Sequence, residues 1–381
     1  MEELIIQDTP QEVTNHDKKT SAFSLEAIDA WLIKQQKITT KQKVIFFRLL
    51  ATMVNAGLPM LKSLTILQKQ EPNPILENIY TTIIDQIKGG KNLSNALRNF
   101  DGMFTDAEAS IIESGEKTGR LNTALLQLAD QVEKVSSISN KIKGALIYPA
   151  AIVVVMIASI MVLMTLVVPK LVEMFGDKSK LPPLTQFLMT LSDFFVGYWW
   201  AMIIAFVAII IAVSIWKKTE TGRYQFDGLL IKLPIFGPLL KKVILSKFAR
   251  VLSNLISSGI SIVESLRIVS DVVDNDVYRQ RILVLREDVK RGVKIGESLE
   301  DDHLFPEMLV QMIKVGEETA KLDSIILKIA DFYDEEVDTS INAINKSLEP
   351  IIIVVMAVVV GFIAVGIMQP IMNLSETIEN A

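Results

Sequence analysis

Apolar residues recur at three- and four-residue steps along most of the chain, as at Ile45, Leu49, Leu50, Met53 and Val54. No segment alternates with the period of two that a half-buried strand requires, so the pattern predicts helices throughout. Gly57 and Gly259 each follow an apolar run, where a glycine can take the left-handed conformation that ends a helix. Pro59 and Pro72 favour turns or new starts, Gly89-Gly90 divides the next stretch, and Asn92 or Ser94 can cap the helix after it. The expected fold class is all-α.

Three runs, 145–168, 197–216 and 350–369, are apolar and contain no charged residue. A helix needs about 20 apolar residues to cross a bilayer, and soluble core helices rarely stay uncharged for that length, so three transmembrane helices are expected. The middle run carries Tyr198, Trp199 and Trp200 at one end and Trp216 at the other, as interfacial aromatic belts do. Lys134, Lys141 and Lys143 precede the first run, and Lys217, Lys218, Arg223 and Lys232 follow the second. On the other side stand only Lys170, Lys178 and Lys180. The positive-inside rule then predicts a cytoplasmic N-terminus and cytoplasmic segments 42–144 and 217–349, with 169–196 and 370–381 outside. The polar N-terminal stretch lacks the apolar core of a cleaved signal peptide. Within 1–41, Ser24 can cap a short amphipathic helix carrying Leu25, Ile28, Trp31 and Leu32, suited to a partner or to the membrane surface.

The chain also repeats itself. Residues 46–67 align without a gap to 248–269, with seven identities in 22 positions, among them Phe46/Phe248, Arg48/Arg250 and Gly57/Gly259. Residues 103–130 align to 304–331 with nine identities in 28, including Gly115-Glu116/Gly316-Glu317 and Ala129-Asp130/Ala330-Asp331. The same register sets Pro149 opposite Pro350, each at the start of an apolar run. The predicted unit is a cytoplasmic bundle of roughly six helices feeding a membrane helix, present twice. The last cytoplasmic helix, 121–144, would be about 36 Å long at ~1.5 Å per residue and runs directly into the first span. Pro149 and Pro350 are expected to bend these helices where each bundle meets the bilayer, because proline removes one helix hydrogen bond.

Composition narrows the chemistry. The 381 residues suffice for two or three folded units, and a hydrophobic share of 50% beside 22% charged residues suits soluble bundles interrupted by spans. There is no cysteine, which excludes disulfide scaffolds, thiolate metal sites and cysteine nucleophiles, and the two histidines, His16 and His303, make a Ser-His-Asp triad improbable. A net charge of −5 with no basic block argues against nucleic acid as a direct partner. The string Ser114-Gly115-Glu116-Lys117-Thr118-Gly119 only superficially resembles a phosphate loop: Glu116 stands where a glycine is needed, and the segment before it is helical. It reads as a helix junction, with Gly115 and Gly316 in the turn and Glu116 and Glu317 near the following helix start, where the dipole favours a carboxylate. The acidic groups Asp271/Asp274/Asp276, Asp301-Asp302 and Asp334-Glu335-Glu336 lack calcium-loop spacing and read as solvated helix faces. No metal, cofactor or catalytic residue is expected. Arg48 and Arg250, each inside an apolar helix, are expected to pair with acids in the bundle rather than to face a partner. The three spans hold no charged residue and Glu349 at the interface is the sole candidate group, so a transport pathway through one chain is disfavoured. A receptor would need a larger external segment than 169–196.

The order of these features resembles the inner-membrane platform protein of type IV pili and type II secretion systems. The resemblance rests on Ala56-Gly57-Leu58-Pro59, Gly115-Glu116-Lys117-Thr118-Gly119-Arg120-Leu121, Tyr148-Pro149, Val168-Pro169, Leu181-Pro182-Pro183-Leu184-Thr185, Lys232-Leu233-Pro234-Ile235-Phe236-Gly237-Pro238-Leu239, Leu348-Glu349-Pro350 and Gln369-Pro370-Ile371. It implies a non-enzymatic protein of the bacterial inner membrane that links a cytoplasmic hexameric assembly ATPase to pilin or pseudopilin insertion, as a small homo-oligomer beside other assembly proteins. Pilus, protein-secretion and DNA-uptake variants share this scaffold. The second repeat departs from the pattern at Ala320, where the first has Gly119, so an altered turn is expected there.

Overall fold

The computed structural model describes residues 38–100, 102–162, 183–234 and 236–379, and every regular element among them is a helix. The helices are α1 (Thr40–Asn55), α2 (Met60–Gln70), α3 (Pro74–Lys88), α4 (Leu93–Arg98), α5 (Asp106–Thr118), α6 (Leu121–Val162) and α7 (Pro183–Trp216). After these come α8 (Glu220–Leu230), α9 (Phe236–Ser257), α10 (Ile262–Val272), α11 (Asp276–Lys290), α12 (Ile295–Ser298), α13 (Glu307–Glu318) and α14 (Leu322–Glu379). The helices α9 to α14 repeat the order of α1 to α6, as the duplicated sequence predicts, and α8 is an addition between the halves. The N-terminal helix expected around Ser24 lies outside the described residues. The stretch 183–196, expected in the outside connection, belongs to α7.

Local chemistry sets the boundaries. Thr39 and Gln42 form a capping box at the start of α1, and Thr105 and Glu108 form another at α5. Asn73 caps α3, whose first residue is Pro74, a position where the missing amide hydrogen costs nothing. Gly57 and Gly259 take φ of 81° and 83°, and the amides of Leu58 and Ile260 then reach back to the carbonyls of Met53 and Leu255 at 3.0 and 3.1 Å. Both helix ends are closed in the left-handed way that an alanine would resist.

The two halves do not keep separate interiors. Phe46, Phe47 and Leu50 from the first and Phe248, Leu252 and Leu255 from the second belong to one continuous buried cluster. Phe46 meets Phe104 at 5.9 Å, and the corresponding Phe248 meets Phe305 at 5.5 Å, so the repeat preserves an aromatic contact at the heart of each half. The halves fuse because α9 packs on α5 and α6.

Helices α6 and α14 dominate the shape. They contain 42 and 58 residues and continue through Pro149 and Pro350. Both are long and apolar enough to cross a membrane, and their apolar windows are not buried against the rest of the chain. Val154, Val155, Val354 and Val358 are each more than half exposed. Among the described residues, α7 adds a shorter apolar stretch, Ile204–Trp216.

Candidate functional site

The charged half of α6 and the charged half of α14 flank α9, and between them lies an open cleft of about 730 Å³. Its floor is Arg250 and its walls carry Asp130, Glu133, Asp331, Asp334 and Asp338. Arg250 comes from the middle of α9 and donates to Asp331 at 2.8 Å and to Asp334. Ser246, one turn earlier, also donates to Asp334. In the first repeat Arg48 does the same from α1, donating to Asp130 at 2.8 Å and Glu133 at 2.6 Å on α6. Both arginines pair with acids of the long helices, but only Arg250 does so inside the bundle, and the Arg48 pairs lie at the surface. The Arg48 side chain is 49% exposed and that of Arg250 only 9%. An exposed pair contributes little, whereas a buried one is costly to break from one side only. Across the cleft mouth Lys141 on α6 bonds both oxygens of Asp338 on α14, the closer at 2.6 Å, tying the two long helices together.

The glycine and glutamate that recur in both repeats do something other than the sequence suggests. Gly115 and Gly316 are not in the turn but buried inside α5 and α13. A Cβ on Gly115 would stand 2.7 Å from that of Ala124, and one on Gly316 would stand 3.2 Å from Leu322 Cδ1. They let α5 lie against α6, and α13 against α14. The residues that need positive φ come four positions later, at Gly119 and Ala320. Ala320 keeps φ at 54°, so the turn is preserved despite the substitution, and Lys321 N–H bonds the Gly316 carbonyl at 3.0 Å as Arg120 bonds Gly115 at 2.8 Å.

Glu116 and Glu317 are likewise not at the next helix start. Glu116 reaches the beginning of α4, accepting from Leu93 N–H at 2.7 Å and from the Ser94 hydroxyl at 2.6 Å. Glu317 does the same for α12, accepting from Ile295 and Gly296 N–H at 2.7 and 2.9 Å. Asn92 makes no side-chain cap bond, and Ser94 is a donor to Glu116 rather than the cap. A distant carboxylate here replaces the usual capping side chain. Sequence spacing cannot reveal this, because the two partners are over twenty residues apart.

Several acids expected on solvated faces are instead engaged. Asp334 holds Arg250, Asp302 holds Arg281 and accepts from Leu304 N–H at 2.9 Å, and buried Asp276 bonds Gln280 at 2.9 Å. Between the repeats, Arg267 of α10 donates to Asp106 of α5 at 2.7 Å. Burial pushes the Asp106 carboxyl up, but hydrogen bonds and charge from Arg267 and Arg98 outweigh it and hold it below its ordinary 3.8. Burial pushes the Tyr333 hydroxyl up to about 12, with Glu336 adding to the effect. Among the described residues, no cluster of three or more His, Cys, Asp or Glu is arranged to hold a metal ion. Glu349 and Pro350 are exposed on α14, just before its apolar window, and Pro149 lies at the corresponding place on α6. The site is an ion-paired scaffold that sets the two membrane-directed helices relative to α1 and α9.

Comparison with known proteins matches both halves of the chain, residues 46–169 and 248–370, to the family described as type II secretion system protein F. The type IV pilus assembly protein PilC of Myxococcus xanthus is 33% identical over 340 residues, covering 89% of this chain and 82% of that protein. PilC of Thermus thermophilus is also 33% identical, covering 89% and 84%. A type II secretion system protein F from Aeromonas hydrophila is 30% identical over 372 residues, covering 97% and 95%.

Proposed function

Because the chain belongs to the type II secretion system protein F family, we propose that it is a non-enzymatic inner-membrane platform that couples a cytoplasmic assembly ATPase to pilin insertion into a type IV pilus. The observation that carries this reading is the continuity of α6 and α14. Each begins in the ion-paired core of a repeat and ends in an uncovered apolar stretch. Force applied to either repeat is transmitted along an unbroken helix into the bilayer, and the direct packing of α6 on α14, with the Lys141–Asp338 pair at its surface, couples the two helices. In this reading 145–168, 197–216 and 350–369 cross the membrane. Segments 42–144 and 217–349 face the motor in the cytoplasm, with 169–196 and 370–381 outside. Arg48 and Arg250 lock α1 and α9 to the long helices, Gly115 and Gly316 bring the last two helices of each repeat together, and Pro149 and Pro350 mark the entrance to the bilayer. Pilin subunits, lipid and other inner-membrane assembly proteins are the partners at the membrane level.

The protein F relative that spans nearly the whole chain supports a second reading, the same scaffold at the base of a protein-secretion pseudopilus. A deletion strain with and without the restored gene separates the two. The platform reading expects sheared surface pilin to vanish while pilin stays in the inner membrane, and to return with the gene. Normal filaments with a secretion defect would move the protein to the second reading. Shifting Pro149 or Pro350 by one helical turn is expected to abolish filaments at unchanged protein level; unchanged filaments would remove the helices from the coupling path.

A further inference from the structure

One stripe of the first repeat lacks the cover that its counterpart has. Along α1, Ile45, Leu49 and Thr52 follow one another at four- and three-residue steps and all are exposed, Ile45 at 46% and Leu49 at 43%. The matching positions in α9 are Lys247, Val251 and Asn254. There Val251 is 1% exposed and Asn254 donates to Gln131 of α6 at 2.7 Å, because the first repeat packs on α9. Beside the α1 stripe, Leu126 of α6 is 42% exposed. The bonds from Arg48 to Asp130 and Glu133 and from Asn122 to Asn55 set α6 antiparallel to α1, with Leu126 level with Thr52. Apolar surface therefore lies open on both helices, and exposed surface of this kind marks a contact.

The chain itself supplies a matching helix just upstream. Leu25, Ile28, Trp31 and Leu32, which lie outside the described residues, recur at helical spacing. The described chain begins at Ile38, which packs against the buried cluster, and Thr39 and Gln42 close the capping box of α1. The incoming chain thus reaches α1 from the body of the repeat. Two antiparallel helices need a connection of only about 2–5 residues, which Gln36-Lys37-Ile38-Thr39 provides. A turn centred between 38 and 39 sets Leu32 opposite Ile45, Ile28 opposite Leu49 and Leu25 opposite Thr52. Each set of three spans about 10.5 Å at ~1.5 Å per residue. In an antiparallel pair the flanks on the same side of each stripe meet, which brings Trp31 to the α6 side, beside Arg48. The half-exposed Arg48 guanidinium suits the face of an indole ring.

We propose that residues 24–37 fold back as a helix antiparallel to α1 and cover Ile45 and Leu49, with Trp31 against Arg48. The segment gives the first repeat the covering helix that the second receives from α6. A tether this short holds it at an effective concentration on the order of mM, so a separate partner for the α1 face must compete with it. The pairing does not depend on the membrane reading, and it holds whether the chain serves a pilus or a secretion system.

The natural absence of cysteine makes the test direct. The full chain carrying Leu25→Cys and Thr52→Cys is oxidised in detergent and in nanodiscs of phosphatidylethanolamine and phosphatidylglycerol, and bond formation is followed on a gel as loss of maleimide labelling. The two cysteines should join within one chain, in both media, at least tenfold faster than Ala27→Cys with Thr52→Cys, because helical spacing places Ala27 off the apolar face. Adding Leu49→Glu should slow the first pair at least tenfold. The pair Gln131→Cys and Asn254→Cys, at the α6–α9 contact, should close regardless and reports that the fold is intact. Trp31 gives a second reading without cysteines. The emission lost in Trp31→Phe separates it from Trp199, Trp200 and Trp216, and that difference should sit at shorter wavelength in the parent than in Leu49→Glu. The proposal is overturned if the Leu25 and Ala27 pairs close equally fast, or if Leu49→Glu changes neither closure nor Trp31 emission. A bond joining two chains would overturn it and give the face to a second copy. Closure in detergent that disappears in nanodiscs would overturn it and place the segment on the lipid surface.

Discussion

Glu108→Leu is expected to destabilise the first repeat by about 3–5 kcal/mol, the cost of removing one partner from a buried ion pair. In the native chain Lys43 of α1 bonds both carboxylate oxygens of Glu108 on α5, at 3.1 and 3.0 Å, with the two side chains only 13% and 6% exposed. The same carboxylate accepts from Thr105 N–H at 2.7 Å, closing the capping box. The leucine would strand the ammonium of Lys43 and add about 1 kcal/mol for the lost cap. Lys43 lies over the Phe104 ring at 5.3 Å, and its flexible stem can lift the charge partly to water, which favours the lower end of the range. The second repeat supplies the compensating changes. There the three positions are Leu245, Pro306 and Leu309, with both leucines buried and a proline that has no N–H to satisfy. The triple change Lys43→Leu, Thr105→Pro and Glu108→Leu removes both charges and the orphaned donor, so it should return to within about 1 kcal/mol of the parent. Thermal unfolding of the purified chain in detergent reads this out. At about 2–4 °C per kcal/mol the single variant should melt on the order of 10 °C lower and the triple variant close to the parent. A single variant within 2 °C (about 1 kcal/mol) of the parent, or a triple variant no better than the single one, would refute the reasoning.

Three further outcomes follow from the geometry. Ala320→Gly should stabilise the second repeat by up to about 1 kcal/mol, because it relieves a side chain held at φ 54° without removing a contact on which the turn depends; a lower melting temperature would contradict this. Glu317→Ala should cost about 1–2 kcal/mol and speed hydrogen exchange selectively at Ile295 and Gly296, the two amides it accepts from; uniform exchange across the repeat would argue against a capping role. Asp106 has a carboxyl held below its ordinary 3.8, so its bond to Arg267 contributes stability that is fully present above 3.8 and is lost as pH falls through the lower folded value. The melting difference between the parent and Asp106→Asn should therefore be constant above about pH 5 and shrink below 3.8; a difference independent of pH would remove Asp106 from the junction.

Much of this protein is written in local pattern. Helical periodicity, the left-handed ends at Gly57 and Gly259, the uncharged runs after Pro149 and Pro350 and the duplication itself are properties of neighbouring residues or of chain length, and they can be read along the sequence. So can the internal pairing of Arg250, because a charge in the middle of an apolar helix must find a partner, whereas Arg48 forms its pairs at the surface. Where those partners come from could not be read, since Asp130 and Asp331 lie some eighty residues away and only packing brings them near. The same holds for Glu116 and Glu317, which look like caps for the next helix but serve an earlier one across the bundle. It holds also for Gly115 and Gly316, whose lack of a side chain matters to a neighbouring helix rather than to the backbone. The fusion of two similar halves through unlike faces is a tertiary decision altogether. Two sequences one-third identical fold alike, but which of their surfaces meet depends on side chains such as Val251 against Leu49 and Gln131 against Phe332, and their consequence appears only when the halves are brought together.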